Sequence, residues 1–524
     1  MHLVANKMLQ IFKNILVVSM STVGSRLLGL LRDVLLFATL GASLWNSAFI
    51  LAFTLPNLFR RLLGEGALTS AVVPLFSDTL EAEGRTGAFR FLNQVLLRLL
   101  LTLLLVVGMG MCALAWLSNS SWMSKQWSLG ANLAVWLLPY MLFVCLAAII
   151  CAGLNLLGRF AVAASSPIVL NLAVISALTA GLWYDSEASC IVYWLCVAVL
   201  IGGFLQLLLP SVDLVRQGWR PRLELHSVTK MTELWKLFLP GLMGAAILQT
   251  NILVSRLLAF SLDESSVSVL YLASRLMELP LGVFTISVTT VFFPLLAKAL
   301  SAGDDRAFCF SFLQGLRLVV GVSLPAAVGL CVLGSPIIDC LFRWGAFKET
   351  DVSSTVPLLT IYGFGLPFYS VATFITRGLH ASKDMRTPVR IAGYCIIINL
   401  LFGLILMQFF GAAGLATATV LAAIVQSYLL WRALASMRDA LNIRVLCPEI
   451  LKVILAGSIM GLACSLLLAV VSVTELSPKL SSALVVAIGV PSGISVYFIL
   501  LYLFRFKELD AIRSMFARII PRSK

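Results

Sequence analysis

Ser25-Arg26-Leu27-Leu28 recurs as Ser255-Arg256-Leu257-Leu258, and Leu55-Pro56 recurs as Leu279-Pro280. Pro74-Leu75 returns as Pro294-Leu295, Gly153-Leu154 as Gly378-Leu379 and Asn171-Leu172 as Asn399-Leu400, in the same order and at offsets of about 220 to 230 residues. One such match is worthless, but five at a common spacing are the signature of an internal repeat. The residues between them are overwhelmingly apolar: of 524 residues 60% are hydrophobic and only 12% charged, with a mean hydropathy of +1.01. A soluble domain carries about a quarter charged residues, so the charges here are too few to cover a water-facing surface. Lipid is the solvent for most of the chain, and a soluble enzyme is excluded.

At about twenty apolar residues per span, the sequence predicts helices near 11–38, 44–63, 92–117, 130–155, 161–183, 189–209, 235–259, 268–297, 308–334, 354–376, 389–409, 412–431, 450–473 and 482–504. These are fourteen spans, six in each repeat. Six is even, so both repeats enter the bilayer in the same sense, as parallel repeats related by an axis along the membrane normal. The expected fold is therefore an all-α integral membrane protein, with two six-helix bundles around a central cavity and two added C-terminal helices. The expected boundaries are 1–210 for the first bundle, 211–234 for a cytoplasmic linker, 235–436 for the second bundle, 437–505 for the added pair and 506–524 for a basic tail. The apolar run behind Lys7 and Lys13 lacks a small-residue cleavage site, so it is read as an uncleaved first helix.

Loop charge orients the chain. With both termini inside, Arg85, Arg90, Arg159, Arg216, Arg220, Arg222, Arg306, Lys383, Arg386, Arg438 and the basic tail are cytoplasmic, while the opposite loops hold only Lys125, Arg343, Lys348 and Lys479. That asymmetry is the positive-inside pattern. It also accounts for the net charge of +14 through contact with anionic headgroups, and no basic segment interleaved with aromatics points to nucleic acid. The eleven cysteines, among them Cys145, Cys151, Cys331 and Cys464, lie mostly in apolar runs without C-x-x-C spacing. They read as small buried hydrophobes. The three histidines, His2, His226 and His380, have no partners at metal-ligand spacing, and no phosphate loop ending in Lys-Ser/Thr is present. No metal, cofactor or ATP hydrolysis is expected, which leaves a coupling ion, the membrane potential or the substrate gradient as the source of energy.

About six arginines within the spans are assigned to neither side of the membrane: Arg26, Arg32, Arg98, Arg256, Arg275 and Arg317. A charge there costs at least about 2.5–3.5 kcal/mol, so such residues pair with acids or face a polar interior. On the first helix Arg26 and Asp33 fall within about 20° of each other and Arg32 about 120° from Arg26; one arginine is expected to be neutralised by Asp33 and the other left. On the second, Pro56 removes a backbone donor and is expected to kink the helix beside Arg60 and Arg61. Glu65 stands four residues after Arg61 and can pair with it. In the second repeat Arg275 precedes Glu278 by one turn, with Pro280 following as a second kink. Arg26, Arg32, Arg60 and Arg275 against Asp33 and Glu278 make a cationic surplus, and guanidinium forks match phosphate oxygens bidentately. An anionic, phosphate-bearing substrate is expected.

These residues resemble the lipid II flippases of bacterial peptidoglycan synthesis, the MurJ or MviN family. The resemblance rests on Ser25 to Gly29 with Arg32-Asp33, on Leu55-Pro56-Asn57-Leu58-Phe59-Arg60-Arg61 with Glu65-Gly66-Ala67, on Ala273 to Pro280 with Pro294-Leu295, on Leu341 to Phe347 and on Lys383 to Val389. It runs nearly end to end. It implies a fourteen-helix member of the multidrug/oligosaccharidyl-lipid/polysaccharide exporter superfamily in the bacterial inner membrane. The implied activity is moving undecaprenyl-pyrophosphoryl-MurNAc(pentapeptide)-GlcNAc to the outer leaflet by alternating access. It further implies that Arg26, Arg32, Arg60 and Arg275 receive the pyrophosphate, that Asp33 and Glu65 are charge partners, and that the last two helices form a groove for the lipid tail. Ser47, Ser255 and Ser274 stand where acids are common in the family, which makes this chain more cationic. Three alternatives stay open at this point: a flippase for another polyprenyl-pyrophosphate oligosaccharide, a drug or cation antiporter, for which intramembrane acids should outnumber arginines, and a membrane glycosyltransferase, which should expose catalytic acids or a large loop.

Overall fold

The computed structural model describes residues 2–509 apart from 65, 225–227, 439–440, 442–444 and 474–475, and leaves aside the side chains of 2–19, 64, 67, 228–231, 240, 243–245 and 247–248. Among the described residues every regular element is a helix. They group into two compact units, residues 1–268 with 345–347, and residues 269–344 with 348–524.

The first unit holds α1 (His2–Leu40), α2 (Leu44–Phe59), a π-helical turn (Arg60–Gly64), α3 (Ala67–Ser118), α4 (Lys125–Leu137), α5 (Tyr140–Leu156), α6 (Phe160–Trp183), α7 (Ala188–Arg216) and α8 (Val228–Phe260). α1 packs along α6, α6 and α5 along α7, and α3 against α4, α5 and α8. Phe37, Phe76, Leu92, Leu103, Leu133 and Tyr140 are fully buried at its centre. Leu101, Leu104, Leu105 and Met109 are exposed. An apolar face turned outward has no place in water and marks the surface that meets lipid. α8, placed by the repeat in the second bundle, packs with the first unit, against α2 and α3. A repeat boundary follows the chain, whereas a packing boundary follows buried surface.

The second unit begins within α9 (Ser266–Pro280) and continues through a π-helical turn (Leu281–Thr285), α10 (Ile286–Ser301), α11 (Asp305–Phe342), α12 (Glu349–Ala381), α13 (Arg386–Ala435), α14 (Cys447–Ser472) and α15 (Pro478–Leu503). Phe292, Phe308, Phe312, Phe374, Leu379 and Leu434 form one core between α10, α11, α12 and α13. A second core, with Val453, Met460, Cys464, Val485 and Tyr497, seats the added pair α14 and α15 on α11. Gly457 and Gly461 make that seat possible, because a Cβ at either would lie 2.8 Å from Leu324 or Val328 of α11. In a membrane, where burying apolar surface drives little, such close small-residue contact is what holds helices together.

The helix reading and the observed helices agree in number. Among the described residues nine helical runs are long and apolar enough to cross a membrane, and α4 with α5, bent by 42°, makes a tenth. The run from Leu44 to Ser118 contains two spans, broken at Gly84 (φ 70°), and α13 contains two, broken at Gly411 (φ 54°), where the sequence already separates 389–409 from 412–431. With α1 and α8 these are the fourteen. Two features differ from expectation. Residues 67–83, read as a connection, are helical. The linker read at 211–234 is pinned at its start: Trp219 is buried and donates from Nε1 to Asn93 Oδ1 at 2.8 Å, while Asn93 Nδ2 donates to the Arg220 carbonyl at 3.0 Å.

Both prolines expected to kink their helices are followed by a π turn. α2 runs through Pro56 and widens into the π turn at Arg60, and α9 ends at Pro280 directly before the π turn at Leu281. The ring removes one i→i−4 donor, and a π turn with i→i+5 bonds follows in each case. The sequence repeat is thus also a structural repeat: helix, proline, π turn, helix, once in each unit.

Candidate substrate-binding arginines

Arg32 is the most constrained of the candidate residues. Its Nη2 and Nε donate to Asp33 Oδ1 at 2.7 and 3.1 Å, and its Nη1 donates to Asn171 Oδ1 of α6 at 3.2 Å. Asn171 Nδ2 in turn donates to the Ser25 carbonyl at 3.2 Å, which ties α6 to α1 at a second level. Asp33 is 1% exposed, and a carboxylate so placed must be paired and hydrogen-bonded. The partner is its chain neighbour, not Arg26, although the helical wheel sets Arg26 and Asp33 nearly in line. The wheel shows angle without rise: seven residues separate those two by about 10 Å along the axis. Arg26 is exposed on the same helix.

Arg60 opens the π turn, half-buried, with its Nε donating to Asn57 Oδ1 at 3.4 Å. Arg61 beside it is exposed, and Glu65, expected as its partner, lies outside the described residues. In the second unit Arg275 Nη1 donates to Glu278 Oε2 at 3.3 Å, with the side chains 38% and 53% exposed. A charged pair this open on a membrane helix belongs on a polar surface, not against lipid. The first unit therefore brings Arg32 and Asp33 together and carries Arg26 and Arg60, while Arg275 and Glu278 form a pair within the second.

Other intramembrane arginines have structural explanations. Arg317 is bound at 2.7 Å to Glu508, both largely buried, so the chain just past α15 is clamped onto α11. Arg98 Nη1 donates to the Gln94 carbonyl of its own helix at 3.2 Å. Arg256 instead reaches from α8 to Thr54 Oγ1 on α2. The sequence places Arg256 within a span but outside the expected site, and the contacts of Asn57 and Asn171 are not legible in it. The signal for Asn171 was its return as Asn399 in the repeat. Ser47, where acids are common in the resembled family, is fully buried and accepts a hydrogen bond from the Ser268 amide at 3.3 Å.

Outside the spans, Asp263 in the α8–α9 connection accepts hydrogen bonds from the amides and hydroxyls of Ser265 and Ser266 at 2.6 to 2.9 Å. Partial burial raises its carboxyl, but these bonds outweigh it and hold the group below its ordinary value.

Among the described residues the chain is all-helical and many-spanned, the architecture of a membrane transporter, and its membrane helices carry guanidinium groups, half-buried or open. Residues 36–485 match the family described as Lipid II flippase MurJ, and the chain belongs to that family. It is 33% identical over 466 residues to a probable lipid II flippase MurJ of Rhizobium meliloti, covering 87% of this chain and 86% of that one. It is 32% identical over 469 residues to a probable lipid II flippase MurJ of Haemophilus influenzae, at 84% and 90% coverage. A solved structure of lipid II flippase MurJ in an inward closed conformation superposes with a TM-score of 0.77 at 28% identity, over 95% of this chain and all of that one. An inward-facing multidrug resistance transporter of the MATE family matches with a TM-score of 0.66 at 14% identity, over 80% of this chain and 95% of that one, and shares the fold alone.

Proposed function

We propose that this chain is a lipid II flippase, which carries the lipid-linked peptidoglycan precursor from the cytoplasmic to the outer leaflet of the bacterial inner membrane with both termini in the cytoplasm. The observation that carries this reading, within a chain of the MurJ family, is the set of guanidinium groups on membrane helices of the first unit: Arg26 exposed on α1, Arg32 anchored by Asp33 and Asn171, and Arg60 in the π turn. Pyrophosphate is a compact anion with oxygens in the geometry of a guanidinium fork, and guanidinium stays protonated even when partly desolvated. In this reading these arginines receive the pyrophosphate, while Arg275 with Glu278 is a separate charged pair of the second unit. A π turn beside Arg60 suits a transport cycle, since such turns sit at points of adjustable register and recur at functional sites. The cargo is moved unchanged, so no covalent step is required of the protein, and a coupling ion or the membrane potential supplies any driving force.

The test is complementation. A strain depleted of its own lipid II flippase should grow and expose lipid II at the outer leaflet when this chain is supplied. Failure despite normal insertion, together with restoration of a different polyprenyl-pyrophosphate saccharide pathway, would transfer the function to that cargo.

A further inference from the structure

In the second unit the end of α11 and the start of α15 border an open cleft of about 440 Å³, lined by Cys340, Trp344, Ser477, Lys479, Leu480 and Ala483. That volume is in the range of small-ligand pockets, about 300–1,000 Å³. The cleft sits where one membrane-crossing helix ends and another begins, at a membrane boundary. Trp344 is set there by its own chain, its Nε1 donating to the Cys340 carbonyl at 3.1 Å. Lys479 Nζ stands 3.7 Å from the centroid of the Trp344 ring. Trp and Lys are the side chains of such a boundary, since each has an apolar body for lipid and a polar tip for water.

The indole ring attracts the ammonium through its quadrupole but brings no opposing charge. Among the described residues Lys479 is in no ion pair or hydrogen bond, and the Ser477 hydroxyl caps no amide of α15. Arg343 nearby in the chain is already taken up, by Asp339 at 2.6 Å. Lys479 is also one of only four basic residues that the sequence leaves in the loops of this side, where such charge is disfavoured. An ammonium and a hydroxyl beside a wall of Cys340, Leu480 and Ala483 are complementary to a molecule that is anionic at one end and apolar at the other. Below the cleft, Leu480, Ala487, Pro491, Ile494 and Phe498 of α15 are exposed and fall within about 60° of one another. Leu480 to Ile494 covers about 21 Å of helix axis, more than half of the roughly 30 Å hydrocarbon core. An acyl chain that starts at the cleft therefore stays on apolar surface through the depth of its leaflet.

We propose that this cleft is a binding site for a phospholipid of the surrounding bilayer, its phosphate held by Lys479 and Ser477 and its glycerol end against Trp344 and Leu480. An ammonium is a point charge suited to a single phosphodiester, and the site does not depend on the arginines read as receiving pyrophosphate. The bound lipid bridges the end of α11 and the start of α15, adding to the close contacts of Gly457 and Gly461 that seat α14 on α11.

The test reads Cys340, the thiol in the cleft wall. The full chain in detergent, with the exposed Cys112, Cys190 and Cys447 replaced by Ser, is alkylated with N-ethylmaleimide. The rate at Cys340 is followed by peptide mass spectrometry, with Cys331 of the same helix as reference. Dioleoylphosphatidylglycerol should slow Cys340 by about fivefold or more once it is well above its dissociation constant, and should leave Cys331 unchanged. Dioleoylglycerol, which has the chains without the phosphate, should not protect. Lys479→Ala should abolish the protection, Lys479→Arg should keep it, Ser477→Ala should lose part of it, and Lys125→Ala should have no effect. Full protection in Lys479→Ala, or equal protection by dioleoylglycerol or by inorganic phosphate alone, overturns the inference. So does protection by lipid II at a much lower concentration than phosphatidylglycerol, which gives the site to the cargo instead. If Cys340 does not react in the lipid-free chain, Ala483→Cys on the opposite wall is read in the same way.

Discussion

Arg26 and Arg32 share one helix and stand in opposite electrostatic situations, one exposed and the other locked between Asp33 and Asn171. Their substitutions should separate accordingly. Arg26→Ala should change stability by less than about 0.5 kcal/mol while abolishing outer-leaflet delivery of lipid II. Arg32→Ala takes a guanidinium away from a buried carboxylate and should cost about 3 kcal/mol or more, read as a fall in thermal unfolding midpoint in detergent. Adding Asp33→Ala should recover most of that stability. If the double variant also recovers lipid II delivery at matched protein levels, Arg32 is a structural counter-ion and the pyrophosphate role is lost for it. Asp263 makes a prediction in pH. Its carboxyl is held below the ordinary value of 3.8, so its contribution is complete above that pH and is lost as pH falls through the lower folded value. Asp263→Ala should cost about 0.5–2 kcal/mol, as loss of a helix-capping acceptor does. The deficit should be constant from pH 8 to pH 5 and shrink only below about 4; a deficit growing toward low pH would contradict the assignment.

At the scale of elements, two close approaches carry testable weight. Gly41 and Gly345 both have positive φ, Ala346 N donates to the Ala38 carbonyl at 2.8 Å, and a Cβ on Gly345 would lie 2.3 Å from that same oxygen. Phe347 completes the contact, buried edge-on against Phe37 at 5.5 Å. Gly345→Ala should therefore destabilise by about 1–3 kcal/mol through backbone strain, whereas Ala346→Ser should be tolerated. Gly461→Leu should force α14 away from α11 and cost about 1–3 kcal/mol, lowering the unfolding midpoint. An unchanged midpoint in either variant would mean that the approach is looser than described. The Trp344-Gly345-Ala346-Phe347 run is plain as a motif in the sequence, yet its docking on α1 is not, because a three-residue contact between segments about three hundred positions apart has no periodicity to read. Asn171 illustrates the same limit. Its repetition as Asn399 was visible, but its role as the link between Arg32 and the Ser25 carbonyl required α6 to lie along α1.

For the whole molecule, the even number of spans and the charge asymmetry of the loops predict an orientation that chemical labelling can check. After Cys112, Cys190 and Cys447, the exposed native thiols, are replaced by Ser, a cysteine introduced for Ser186 or Leu476 should react with an impermeant reagent from outside. One introduced for Gly218 or Gly303 should not. The reverse pattern, or a mixed one, would overturn the span count. In the predicted orientation the excess of basic over acidic residues that gives +14 would face the anionic cytoplasmic leaflet, where each exposed basic residue gains about 1 kcal/mol.

Solvent, span count and repeat were determined by the sequence alone, because hydropathy and recurring short motifs are one-dimensional properties that survive without knowledge of any contact. Family membership was legible for the same reason, through Leu55 to Arg61 and Ala273 to Pro280. What only the tertiary structure decided is which charges meet. Arg32 rather than Arg26 neutralises Asp33, Arg256 is turned toward Thr54, Arg317 is taken up by Glu508, and the prolines are followed by π turns. Each depends on side-chain reach and on the rise between residues, or on which helix lies alongside, and a buried guanidinium takes the nearest acceptor that packing brings within hydrogen-bond distance.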